Sequence, residues 1–153
     1  MSDGTERWAG RRQARAAALQ ALYEVEVGGL TVTEALGVLD RVGEPEAPAL
    51  GQADRAFAAV LARGVIESQA ALDERIATAA RHWRVERMAA LDRLVLRLAV
   101  HEWLAHPKTP PRVVINEAIE LARAYSGEDA AKFVNGVLDG VFRALKEDGK
   151  VVE

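Results

Sequence analysis

The stretch from Val85 to Leu104 is apolar around almost its whole circumference. Wound as a helix, Leu91, Leu94, Val95, Leu96, Leu98, Ala99, Val100, Trp103 and Leu104 leave only Arg93, Arg97 and His101 as a narrow polar strip. Such a helix belongs at the centre of a fold, enclosed by others. Leu91, Val95, Leu98 and Ala99 are therefore expected in the core. Asp92 and Glu102 interrupt its apolar surface. A buried carboxylate needs a partner, so Glu102, which falls between Leu91 and Val95 on the wheel, is expected buried and hydrogen-bonded. Asp92 is open between an internal ion pair and a contact with another protein.

The rest of the chain supplies helices. Ala14, Ala17, Ala18, Ala21, Leu22 and Val25 share one face of a segment from Arg7 to about Val27, which Gly28-Gly29 then stops. Thr31 or Thr33 caps a short helix ending near Arg41. Two prolines and two glycines make 42–51 an exposed loop. Helices are expected over 52–68 and 69–80. After Leu104, His106-Pro107-Lys108-Thr109-Pro110-Pro111 ends the central helix, and Pro110 or Pro111 suits the first turn of the next. That helix has Val114, Ile115, Ala118, Ile119, Leu121, Ala122 and Tyr125 inside. Ser126-Gly127 closes it, and acidic Glu128 and Asp129 open a last helix to about Lys146. Gly136 and Gly140, one turn apart, are expected to admit a neighbouring helix. There is no internal repeat and no strand-like alternation of useful length. The pattern predicts an all-α, compact bundle of about seven helices. Aromatics are only 5% of the 153 residues, so alanine, leucine and valine must build most of the core.

Function classes narrow by elimination. The chain has no cysteine, which rules out a disulfide or thiolate site. His82, His101 and His106 are scattered, and the last two are five apart rather than the four that would place two ligands on one helix face. No glycine-rich phosphate loop occurs. No catalytic residue, metal or cofactor is expected, and the chain is read as not an enzyme. The first six residues lack the apolar core of a secretory signal. No apolar run approaches the ~20 residues that cross a membrane.

Arg11 and Arg15 are one helical turn apart, with Arg12 beside them and Arg7 one turn earlier. Along one border of the apolar face, such guanidinium groups suit phosphate. A solvated charged face accounts for them as well. Basic residues at a helix start oppose the dipole, which favours another use. Trp8 either stacks on a base or anchors its helix. Lys132 and Phe133, in the first turns of the last helix, offer a cation and a ring to a nucleotide, although Phe133 also suits a core. A net charge of −3 means that any nucleic-acid contact is a local patch of modest affinity.

Four segments together resemble the transcription antitermination factor NusB family. They are Arg11-Arg12-Gln13-Ala14-Arg15 with Ala18-Leu19-Gln20-Ala21-Leu22-Tyr23, Leu91-Asp92-Arg93-Leu94-Val95-Leu96-Arg97-Leu98-Ala99, Val114-Ile115-Asn116-Glu117-Ala118-Ile119-Glu120-Leu121-Ala122, and Lys132-Phe133-Val134-Asn135-Gly136-Val137-Leu138-Asp139. The resemblance covers nearly the whole chain and implies one RNA-binding domain over 1–153, with helical subdomains 1–81 and 82–153. It implies binding to boxA RNA together with NusE, a small-subunit ribosomal protein, within the RNA polymerase antitermination complex. Read-through of terminators, notably in ribosomal RNA operons, would follow. The implied setting is cytoplasmic, with no membrane partner, and the isolated chain a monomer or homodimer. By the same resemblance Arg11, Arg12 and Arg15 hold RNA, Asp129, Lys132 and Phe133 border its path, and Tyr23 and Asp92 lie near NusE. Gln13 interrupts a basic run that is often longer in the family, and His101 stands where tyrosine is common. Two other readings compete. One is a helical RNA-binding domain like that attached to ribosomal RNA cytosine methyltransferases, for which a long α/β domain with a cofactor loop should follow. The other is a protein-interaction bundle with no role in RNA.

Overall fold

A computed structural model describes the backbone of residues 4–41 and 50–152 and the side chains of residues 11–38 and 50–152. Every regular element among them is helical: α1 Gly4–Glu26, α2 Val32–Arg41, α3 Gln52–Ala79, a 3-10 turn Val85–Arg87, α4 Ala90–Ala105, α5 Pro111–Ser126 and α6 Glu128–Glu147. The side chains of Arg7 and Trp8, and most of the loop expected at 42–51, lie outside the described residues. The chain divides into two compact units, Met1–Gly64 and Val65–Glu153, and the division falls inside α3.

In the first unit, α1 buries Ala14, Ala17, Ala18, Leu19, Ala21 and Leu22, and α2 buries Ala35. Thr31 starts α2 by reciprocal capping. Its hydroxyl accepts the Glu34 N–H at 3.1 Å, while its own N–H donates to the Glu34 carboxylate at 3.0 Å. The Thr31 N–H, and then its hydroxyl, hold the Glu34 carboxyl below its ordinary value. Gly29, at φ 75°, makes the left-handed exit from α1.

In the second unit, α5 packs on both α4 and α6, and α4 packs on α6. Val95, Leu98 and Ala99 are buried as expected, and Glu102 is 2% exposed. Leu91 is only half-buried, because α4 begins one residue before it. The strip of Arg93, Arg97 and His101 is not a solvent seam. Arg97 and His101 are buried, and Arg97 meets Asp73 of α3 through Nε at 2.7 Å and Nη2 at 2.8 Å. Arg93 Nη1 donates to the carbonyls of Val85 at 3.2 Å and Met88 at 2.8 Å. That guanidinium holds 85–88 as a separate 3-10 turn, so α4 starts at Ala90 rather than Val85.

Two expected helices are one. The ladder of α3 runs through Ser68-Gln69, which contains neither glycine nor proline to stop it. Pro111 occupies the first turn of α5, as expected. Gly127, at φ 91°, both ends α5 and opens α6. Gly140 admits a close neighbour, since a Cβ there would lie 3.2 Å from Ala79 Cβ. Gly136 does not, having no atom within 4 Å of such a Cβ.

Candidate nucleic-acid interface

The arginine cluster of α1 divides by depth. Arg12 is exposed and Arg11 half-buried, with its guanidinium carbon 4.6 Å from the centre of the Phe57 ring. Arg15 is 4% exposed. It precedes Leu19 by one turn and Leu22 by two, and both leucines are buried, so Arg15 lies on the inner stripe rather than its border. Its expected place on an open phosphate-gripping edge is therefore corrected. The helix also begins at Gly4, which puts Arg11 and Arg12 beyond its first turn. The dipole argument for their unusual position accordingly lapses.

At the start of α6, Asp129 and Lys132 are exposed and Phe133 is half-buried. The turn that presents them is clamped by Arg123, whose Nε donates to Glu128 at 2.6 Å and whose Nη1 donates to Glu120. Phe133 is neither plain core nor an isolated platform. It meets Trp83 at 5.7 Å between ring centres with an 80° interplanar angle. Trp83 is 62% exposed and was not singled out by the sequence pattern. The signal was present in Arg81-His82-Trp83-Arg84, a tryptophan among basic residues between two helices.

The two positions assigned to a protein partner differ in depth. Tyr23 is 36% exposed on α1. Asp92 is half-buried in the first turn of α4, and its Oδ1 is enclosed with no hydrogen-bond partner. Burial pushes its carboxyl above the ordinary carboxylate value.

The NusB family profile matches residues 12–143. The chain belongs to the NusB family. It is 43% identical over 139 residues to the transcription antitermination protein NusB of Symbiobacterium thermophilum, covering 89% of this chain and 91% of that one. The NusB fold is equally clear. A solved NusB from T. maritima, 31% identical, superposes with a TM-score of 0.76 over 87% of this chain and 90% of that one. A chain from a crystal structure of NusB and NusE with double-stranded RNA is 26% identical and gives 0.77 over 89% and 98%. The family match includes Arg12, Arg15, Tyr23, Asp92, Asp129, Lys132 and Phe133, while Arg11 lies just before it. Among the described residues no helix is long and apolar enough to cross a membrane.

Proposed function

We propose that this NusB-family chain is a transcription antitermination factor that binds boxA-type RNA jointly with NusE. It would act in the cytoplasm as part of an RNA polymerase complex, as a binding subunit rather than a catalyst. The observation that carries the reading is the likeness, along nearly the whole chain, to the NusB fold found with NusE and RNA. The surface chemistry supports it. Arg12 and Lys132 are exposed cations, and Phe133 keeps part of its ring accessible. Asp92 is only half-buried at the start of α4, which leaves its side chain partly open to a donor from another chain. A net charge of −3 fits a modest binder that gains affinity once a partner adds its own contacts.

In this reading Arg11 and Arg12 hold phosphate, and Arg15 supports the helix that carries them. Binding of boxA and scrambled RNA, each with and without NusE, tests the whole proposal. NusE should tighten boxA binding more than scrambled binding. Arg12→Ala should weaken RNA binding and flatten the log–log salt slope by about 0.7, the contribution of one phosphate contact in a single strand. Arg15→Ala should lower thermal stability instead. Equal binding of boxA and scrambled RNA in the presence of NusE would refute the proposal.

A further inference from the structure

The segment between α3 and α4 shows an indole to solvent from a fixed frame. The Trp83 N–H donates to the Ala80 carbonyl at 2.6 Å, closing a tight turn. Immediately after it, Val85 and Met88 are buried, and both their carbonyls accept from Arg93. The backbone is thus anchored on either side of a side chain that stays 62% exposed. Tryptophan carries a large apolar ring whose burial is favourable, so a rigid turn that keeps it in water is unusual.

Phe133 does not satisfy the ring. In an edge-to-face pair at 5.7 Å and 80°, Phe133 can cover at most one face of the indole. Trp83 as a whole keeps 62% of its surface in water. Arg81, His82 and Arg84 flank Trp83 and are all exposed, and exposed Lys132 adjoins Phe133. Arg81, Arg84 and Lys132 form no ion pair among the described residues. Nearby acids do not offset this completely. Glu128 is engaged by Arg123, and Glu86 and Asp129 remain exposed.

Aromatic rings interleaved with cations are the arrangement that holds single-stranded nucleic acid. The bases stack and the backbone phosphates meet the cations. We infer that Trp83, braced by Phe133, is a stacking platform for an unpaired RNA base, with Arg81, Arg84 and Lys132 taking the adjoining phosphates. The inference rests on the RNA-binding reading and adds a contact on the α3–α4 turn. Every base has a π-face, so this contact adds affinity with little sequence choice, and it requires an unpaired base. A protein segment docking on the indole is the competing occupant. The three cations outside any ion pair outnumber the exposed Glu86 and Asp129 and favour the polyanion.

Anisotropy titrations of the full-length chain, with and without NusE, test this on a labelled 12-nucleotide single strand carrying boxA and on the same sequence annealed to its complement. Trp83→Ala should weaken single-strand binding about 10-fold, within the range that alanine substitution gives for one stacked base. It should leave the salt slope and the duplex affinity unchanged. Trp83→Phe should keep most of the affinity, because it keeps a π-face. Arg84→Ala should flatten the slope by about 0.7. A folded Trp83→Ala variant with wild-type single-strand affinity overturns the inference and leaves the RNA reading intact. So does a loss confined to NusE association, which would assign the indole to a protein. Equal losses on single strand and duplex exclude stacking on an unpaired base. If the wild-type chain binds neither RNA, with or without NusE, the RNA reading fails and this inference fails with it.

Discussion

Arg97 of α4 forks onto Asp73 of α3 through two hydrogen bonds of 2.7 and 2.8 Å, with the arginine almost wholly out of water. A desolvated guanidinium tolerates that position because the planar carboxylate meets it in matching geometry. Asp73→Ala leaves the charge inside without this partner. Opening a fully buried pair costs about 3–5 kcal/mol. The Asp73 side chain keeps 28% exposure, so a loss of about 2–4 kcal/mol is expected. Urea denaturation reads it directly, and a change under 1 kcal/mol would show that the pair is not what holds α3 to α4.

Asp92 should behave in the opposite way. It has no hydrogen bond or ion pair among the described residues, and burial raises its carboxyl pKa. A raised folded-state value means the native chain binds the proton more tightly than the unfolded one. The associated stability is present at low pH and is lost as pH rises through the folded value. At neutral pH the charged carboxylate is therefore a burden on the isolated chain. Asp92→Asn should melt at the same temperature as the wild type or higher at pH 7, while NusE association weakens. Lower stability with unchanged NusE affinity, read by melting curves and titration calorimetry, would place the carboxylate in the internal framework.

His101 gives the chain an acid-sensitive point. Burial holds its pKa below 6.5, and the His106 charge pushes the same way, against weaker opposite pulls from Glu102 and Glu67. The two imidazoles meet edge to face at 5.7 Å. With a depressed folded value, the unfolded chain takes up the proton first as pH falls. The stability is complete above about 6.5 and declines as pH drops through the folded value. Thermal melts from pH 7.5 to 5 should show that decline, and His101→Phe should flatten it. An equal slope in the variant would assign the sensitivity to other groups.

The two glycines of α6 should separate cleanly. At Gly136 nothing opposes a side chain, so Gly136→Ala should stabilise the chain by up to about 1 kcal/mol through helix propensity alone. At Gly140 a new Cβ would stand 3.2 Å from Ala79 Cβ, forcing α3 and α6 to shift. Gly140→Ala should lose that gain or reverse it. Melting temperatures of the two variants, compared side by side, decide the matter.

Helix identity was set locally. The apolar circumference of 91–104, the Pro111 start, the Gly29 and Gly127 turns and a capping threonine at 31 or 33 are properties of neighbouring residues, so the chain itself declares an all-α fold with a largely buried α4. The family signature was legible for the same reason, because its motifs are contiguous runs. Depth was not. A wheel drawn on one helix ranks positions by polarity, and so it set Arg15 on the border of the apolar face and Arg97 and His101 in a polar strip, without giving their depth. Arg97 is inside because Asp73, far away along the chain, arrives to pair with it. Arg15 is inside because Leu19 and Leu22 turn the inner stripe of α1 toward it. The contact of Trp83 with Phe133 likewise joins residues distant in sequence and leaves most of the indole in water. Secondary structure follows from short-range periodicity, whereas burial, pairing and exposure depend on which distant element arrives. For this chain those belong to the tertiary structure alone.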